Sequence, residues 1–599
     1  MSKALEFYNG EIERLQNEIK NLKDKIKILS IIRLIIFLAT IIMAYFSYKS
    51  ENMVLMIGEV VIGLLIFIII AYIHNEKINL KKEKQVYLYV NKKGVSRIEG
   101  TFKDFIEDKG EEFIDDKHGF INDLDVFGRN SIFQMINSTK TIFGRKILSE
   151  TLALKKLPSK DEIIKKQEAV EEISKKIDFR QRLEVKSSLK NSGKKDVDEL
   201  LKWANSEGKA NKIFEVIPYI FILKTIIVIA MIVFGYLRIS YLILDLCINY
   251  LAVKMLTRKL APVIGLFEGH KTDIEAYTNI LEIIEKEKFE SPYIKDIKSK
   301  LNYKDSSKAY SEMKVLKNLV DWIGDSTGNA YYLLLNVILL SDVFILNNLE
   351  KWKVKNGYKL ASWLEVIGEI ESLASISNIS FDFEQWNYAE FTDESIIEAN
   401  NIGHPILGQR AVTNSFSLNN NKKAGLITGS NMSGKSTFLR TLGLNLLLAY
   451  IGGKSYCDSL TCGIFNIYTC MRTKDNLEES ISSFYAEILR IKIVIEAAKR
   501  GEKVLFLLDE IFKGTNSKDR HEGAKVLIEQ LVESGGIGLV STHDLELCDL
   551  EKIKPWIINY NFQEYYKENK INFDYKLRHG KSKTQNAVHL MKLAGIEFK

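Results

Sequence analysis

The stretch AGLITGSNMSGKSTFLRTLG, Ala424–Gly443, decides how the rest of the chain is read. Ala424–Thr428 is a short apolar strand, Gly429–Gly434 a glycine-bounded loop, and the residues after it have the spacing of an amphipathic helix. Gly429 and Gly434–Ser436 fit G-x-x-x-x-G-K-[ST]. In such a loop backbone amides wrap phosphate groups, the lysine sets a cation on the β and γ groups, and the hydroxyl reaches magnesium. The helix N-terminus adds partial positive charge. Gly429, Ser430, Asn431, Met432, Ser433, Gly434, Lys435, Ser436 and Thr437 are therefore the expected nucleotide cradle, with Ser436 a magnesium ligand.

Downstream, KVLFLLDE carries a continuous apolar run, Val504–Leu508, as a parallel strand buried on both faces requires. Two carboxylates end it. Asp509 at the strand's edge can hold magnesium through water, and Glu510 is placed to polarise the water that attacks a γ-phosphate. A third strand, Gly538–Ser541, delivers His543 to the same edge, where it can contact that phosphate. The pair of acids fits the additional-strand, ABC-type class of P-loop ATPase, built on a mostly parallel sheet and using ATP and Mg2+.

The chain has 599 residues, too many for one core, and only 6 prolines where a usage near 5% would give about 30. Proline is costly inside helices, so long helices are expected and an all-β sandwich is excluded. The fold class is multidomain α plus α/β. The net charge of +7 leans toward anionic partners without diagnosing nucleic acid. Five cysteines with no C-x-x-C pair suggest neither a disulfide framework nor a zinc site, and fit a reducing compartment.

Two apolar runs of about 21 residues, Ile28–Tyr48 and Met53–Ile73, each interrupted by one charge, read as a transmembrane hairpin. Lysines precede and follow the pair, so both ends are expected in the cytoplasm. A second hairpin, 213–257, contains Lys224 and Asp245, which can neutralise each other across it; a buried soluble hairpin is the alternative. Ala330–Leu346 is interrupted by polar residues and reads as a core helix. Ahead of the first hairpin, Leu5, Ile12, Ile19 and Ile26 occupy one heptad position and Tyr8, Leu15, Leu22 and Leu29 the other. Isoleucine followed by leucine favours a parallel two-stranded coil, with Glu18 meeting Lys23 of a second copy. The same stripe also fits a helix lying against its own chain. No cleavable signal peptide is expected.

With these residues in hand, the chain resembles the MutS family. GSNMSGKST is similar to the family's G-x-N-M-x-G-K-S-T, including Asn431 and Met432. LLDEIFKGTNSKDR, STHDLEL, SISSFYAE, the His404–Pro405 pair and the closing YKLRHG with its later LAG resemble further family motifs in the same order. Asp123–Leu154 looks like the opening of the family's helical core, with Phe127, Phe133, Thr139, Thr141, Gly144, Arg145 and Leu148 at matching spacings. The resemblance implies a homodimer in which Ser482 and Ser483 of one copy reach the nucleotide on the other. It also implies a helical clamp on mismatched or branched DNA. Two departures stand out: a coiled coil and membrane hairpin occupy the place of a mismatch reader, and no nuclease domain is expected after the ATPase.

The domain plan is therefore 1–27 parallel coiled coil, 28–73 transmembrane hairpin, 74–110 linker, 111–212 helical core, 213–257 second hairpin, 258–378 core and lever helices, and 379–599 ATPase. The leading reading is an ATPase tethered to a lipid bilayer, with its ATPase domain in the cytoplasm and DNA backbone as a partner. Lys295–Lys304 offers a candidate phosphate-contacting run, although such a run is more often a solvated helix face. The alternative is a membrane remodelling or transport-coupled ATPase that binds no DNA. For the adenine, Val412 or Thr413 stands where relatives tend to place an aromatic residue.

Overall fold

The computed structural model describes residues 2–188, 197–208, 212–258, 260–302, 308–324, 336–472, 483–513, 515–567 and 570–582. Two helices of 47 residues, α1 (Lys3–Lys49) and α2 (Met53–Glu99), form an antiparallel hairpin. At 1.5 Å per residue each is about 70 Å long. Ser2 and Asn52 cap their N-termini by accepting the amides of Leu5 and Leu55, and Gly100, at φ 72°, ends α2 in the left-handed conformation that glycine takes without strain. The outer part of the hairpin, from Ile28 on α1 to Ile73 on α2, exposes large apolar side chains such as Ile35, Phe46, Ile62 and Ile69 along its length. So long an exposed apolar surface marks contact with lipid or another apolar partner. Among the described residues α1, α2 and the helix Ile213–Val233 are long and apolar enough to cross a membrane.

The inner part of the hairpin corrects two expectations. Residues 74–99 are no linker but the second half of α2. The heptad face of α1 finds its partner inside the chain: Tyr8, Leu15 and Ile19 are buried and the other heptad positions half-buried, in a hairpin whose other arm is α2. Glu18 pairs at 2.7 Å with Lys84 of α2, not with a lysine of a second copy. A heptad stripe specifies an apolar seam, and a covalently linked helix meets it without the entropy cost of bringing two chains together.

The remaining helices used below are α3 (Ile142–Leu152), α4 (Lys160–Lys175), α5 (Ile177–Ser188), α6 (Ile213–Val233), α7 (Ser240–Leu256), α8 (Leu260–Lys286), α9 (Ser341–Asp382), α10 (Lys435–Tyr450), α11 (Ser483–Lys499) and α12 (Ser517–Glu533). α6 and α7 form the second hairpin within 213–257. Lys224 meets Asp245 at 2.8 Å across it, Thr225 donates to the other Asp245 oxygen, and Asn249 bonds both Lys224 and Thr225. Of the expected helix Ala330–Leu346, residues 330–335 lie outside the described residues. The rest leads into α9, where Ser341, Val343 and Ile345 are buried.

α9 spans 42 residues, about 63 Å, and is buried on most of its surface, so it serves as the central post of the helical core. Its Glu371 is sealed between α9 and α3, accepting the Lys140 amide and the Thr141 hydroxyl. A Cβ at Gly144 would come within 2.0 Å of that carboxylate, which is why the first turn of α3 carries glycine there. Burial pushes the Glu371 carboxyl up to about 7. At its far end α9 receives the base of the first hairpin. Asp382 accepts from the Tyr8 hydroxyl (2.7 Å) and the Arg97 guanidinium (2.5 Å), and all three side chains are buried. Immediately beyond, Phe383, Trp386 and Tyr456 stack in sequence and lead into the C-terminal domain.

The described residues of that domain form two sheets. The smaller has the order β1 (Glu390–Phe391), β5 (Ser459–Cys462), β2 (Ile397–Ile402), β3 (Asn414–Leu418). The larger has the order β10 (Lys570–His579), β9 (Ile557–Lys567), β4 (Ala424–Thr428), β8 (Ile537–Thr542), β7 (Val504–Asp509), β6 (Asn466–Cys470); it is parallel except for β10. One continuous hydrophobic core runs from Phe102 to Phe562, so the helical core and the sheets fold against each other and not as separate beads.

Candidate functional site

β4 is buried at every residue and lies between β8 and β9, so the loop that follows it leaves the sheet at its centre. Gly429 (φ 154°) and Gly434 (φ 107°) bound the loop, and a Cβ at Gly429 would come within 2.9 Å of the Phe562 carbonyl. Only glycine fits there. Met432 also adopts a left-handed backbone (φ 66°) and is 85% exposed. Lys435 opens α10, and its buried ammonium donates to the carbonyls of Gly429 and Ser430, each at 3.0 Å. Burial lowers its pKa. Ser430 is tied at 2.9 Å to Glu564 of β9.

β7 and β8 bring the acids and the histidine to the same edge. The Ser541 hydroxyl donates to Asp509 and fixes that carboxylate at the strand's end. Glu510 lies beyond the strand in a left-handed conformation (φ 49°), its amide bonded to the Ser541 carbonyl. One Glu510 oxygen is 2.8 Å from His543 Nε2 and 3.7 Å from Lys435 Nζ; the other meets Lys513 at 3.0 Å. The contact with His543, followed by that with Lys513, holds the Glu510 carboxyl down at about 2. Non-glycine residues at positive φ cost about 1–3 kcal/mol each and gather where function needs them. Met432, Glu510, Phe512 and Tyr575 are four of them around this one site.

A cavity of about 470 Å³ opens beside the loop, a volume suited to a nucleotide-sized ligand. Asn431–Thr437 and Glu510 line one side. Leu407, Val412, Phe562 and Tyr575 are also among its walls. Of the two positions considered for the adenine, Val412 lines the cavity; Thr413 instead offers its carbonyl to Lys576. Tyr575 carried no role in the sequence reading, although it opens the YKLRHG motif. It sits where the pairing of β9 with β10 shifts register, at φ 54°, and Asn414 pins this bulge by donating to the Tyr575 carbonyl and accepting the Leu577 amide. Its ring is what a Cβ at Gly434 would meet, at 3.2 Å. The signal was an aromatic residue in an irregular strand, which points into a site only once the fold is known.

His404 lines the same cavity, and burial, with Arg440 nearby, lowers it to about 4; it is neutral at physiological pH. Ser482 lies outside the described residues, and Ser483 is known only as the first residue of α11. The lysine run changes character. Lys298 donates to the carbonyls of Glu285 and Glu287, and Lys300 pairs with Glu369, so these two cations serve the fold; Lys304 lies outside the described residues.

A mostly parallel α/β domain with a glycine-bounded loop after its central strand, near two carboxylates and a histidine from β7 and β8, is the class of domain these observations define. Residues 425–598 match the family MutS domain V. The chain is 31% identical over 238 residues to the DNA mismatch repair protein MutS of Thermotoga maritima, covering 39% of this chain and 30% of that protein. It is likewise 31% identical over 249 residues to the DNA mismatch repair protein MutS of Geobacillus sp. (strain WCH70), covering 40% of this chain and 28% of that protein. The similarity to the MutS family lies in this C-terminal region. The matched stretch spans less than a third of the length of these relatives.

Proposed function

We propose that this chain is a membrane-anchored, magnesium-dependent ATPase of the MutS and ABC type, in which nucleotide-driven closure of two copies moves the helical core as a clamp on DNA. The observation that carries the ATPase reading is the convergence of Lys435, Glu510 and His543 within 2.8–3.7 Å beside the phosphate loop. The Ser436 hydroxyl and the fixed Asp509 carboxylate are oxygen donors of the kind magnesium takes. Bound there, the ion would neutralise charge on the β and γ phosphates. Val412 and Tyr575 provide walls for the base.

Glu510, held near 2 by His543 and Lys513, is a poor proton acceptor as it stands. A γ-phosphate competing for His543 and Lys435 draws two partners away from Glu510 and raises its basicity when an attacking water is present. Hydrolysis is thereby tied to complete engagement of the phosphate. Ser482 and Ser483 of a second copy are the proposed cross-subunit contacts, with Asn516–Asp519 at the same seam. The intrachain packing of α1 removes the coiled coil as the means of dimerisation, so the dimer reading rests on the ATPase domain.

The exposed apolar outer part of α1 and α2, together with α6, supports the membrane anchor. A second reading, mechanical work on the membrane without DNA, is favoured by one observation: the Lys224–Asp245–Asn249–Thr225 network, an ionic group inside the second apolar hairpin. Turnover of labelled ATP by the detergent-solubilised full chain, with and without duplex DNA and across a salt series, separates the readings. DNA stimulation with binding that weakens steeply in salt supports the clamp. Turnover indifferent to DNA supports the second reading. No turnover in the wild type refutes both.

A further inference from the structure

We infer that the three-residue turn Asp123–Asp125 is a positioning element of the nucleotide site, through which the helical core holds the P-loop helix and the Glu510 loop in register; this rests on the ATPase reading above. The turn is wedged into the ATPase domain. Leu124 is fully buried, and a Cβ at Gly443 of α10 would come within 2.8 Å of Leu124 and 3.1 Å of Leu507 on β7, so glycine at 443 permits the approach. Asp123, also fully buried, accepts the Thr469 hydroxyl (2.7 Å) and the amides of Met471 (3.1 Å) and Arg472 (3.0 Å), closing the end of β6. Asp125 stands at φ 52°, a backbone conformation that costs free energy for a non-glycine residue.

Two routes lead from the turn to the reacting groups. In the first, the Asp125 carboxylate lies between Arg440 of α10, at 2.8 Å, and Arg472, at 2.6 and 3.1 Å. Arg440 is on the helix that Lys435 opens. In the second, Asp123 meets Arg490 of α11 at 3.2 Å. Glu487, one turn earlier on the same face of α11, accepts the amide of Phe512, two residues beyond Glu510. Phe512 is itself left-handed, at φ 63°. The lysine and the carboxylate that must cooperate are thus both referred to one turn of the helical core. A displacement near 1 Å between such groups costs on the order of 10²-fold in rate. None of Asp123, Asp125 or Arg440 lines the nucleotide cavity, so they act through Lys435 and Glu510.

Asp125→Asn leaves the Arg440 and Arg472 guanidiniums facing each other without the anion between them, and the P-loop helix loses its fixed placement. In the detergent-solubilised full chain this variant is expected to lower kcat for ATP ten- to a hundredfold while KM stays within threefold of wild type. Asp125→Glu, which keeps the charge, is expected to recover turnover to within about threefold. Arg440→Met is expected to match Asp125→Asn, and the double variant to be no slower than either alone. Unchanged kcat in Asp125→Asn, a loss that Asp125→Glu does not restore, or multiplying losses in the double variant would each overturn the inference while leaving the ATPase reading intact. A wild type without turnover would remove both.

Discussion

Two charge clusters, one at the end of α9 and one at the ends of β7 and β8, are built on opposite principles. At the base of the first hairpin Tyr8, Arg97 and Asp382 are sealed from solvent and satisfy one another at 2.5–3.3 Å. At the phosphate loop Glu510 and His543 remain partly exposed, Glu510 sits on a strained backbone, and His543 and Lys435 approach the same Glu510 oxygen. Sealed charges gain little net stability from their pairing but make any single loss expensive, so they fix a geometry. Charges facing a cavity can exchange partners when a ligand arrives. The first cluster holds the hairpin on the central post; the second borders a cavity, with Glu510 among its lining residues.

That contrast is most sharply broken at Glu510. Glu510→Gln is expected to lower ATP turnover by about 10²–10⁴-fold, with nucleotide binding retained and the melting temperature little changed. A variant that loses stability in proportion to activity would place Glu510 with the sealed cluster instead. Asp382→Ala is expected to do the reverse, costing about 3–5 kcal/mol in denaturant unfolding because Arg97 is left buried without its anion. Joint replacement of Arg97 and Asp382 by leucine or methionine should cost much less, which a double-variant cycle measures.

Glu371 gives a smaller and pH-dependent effect. Burial holds its carboxyl up at about 7, so the folded state prefers the neutral acid. Its contribution is full below the ordinary value near 4.5 and is lost as pH rises through about 7, amounting to roughly 3 kcal/mol over that window. Glu371→Gln is expected to flatten stability against pH between about 5 and 7.5. The smallest effect is at Tyr575, where replacement by alanine is expected to weaken ATP binding about tenfold, as loss of one stacked ring does, with kcat changed less than affinity. Fluorescent-nucleotide titration reads it, and equal loss for inorganic triphosphate would show that the ring does not meet the base.

The site was legible to different depths at its two sides. Lys435, Asp509, Glu510 and His543 could be placed because phosphate chemistry demands fixed residue types at the ends of consecutive parallel strands, and strand, loop and helix follow locally from apolar runs and glycine. Tyr575 and Asn414 could not, because a register shift between β9 and β10 has no local signature and only that shift turns the tyrosine over the loop. Asp123 and Asp125 were visible as part of a resemblance, but their partners Arg440, Arg472 and Arg490 lie more than 300 residues away in sequence.

The N-terminal region was legible in pattern and not in partner. Its heptads specified an apolar seam along α1, and its apolar runs specified surfaces unsuited to water, both properties of side-chain spacing alone. Which helix fills the seam depends on what lies nearest, and the short turn at 50–52 sets α2 beside α1 in the same chain. Composition and spacing therefore determined the elements and the gathering of the glycine-bounded loop, the acids and the histidine at one edge of the sheet. Tertiary structure decided the pairings, from Glu18 with Lys84 to Asp125 with Arg440, because contacts between distant residues depend on how whole elements pack and not on any local preference.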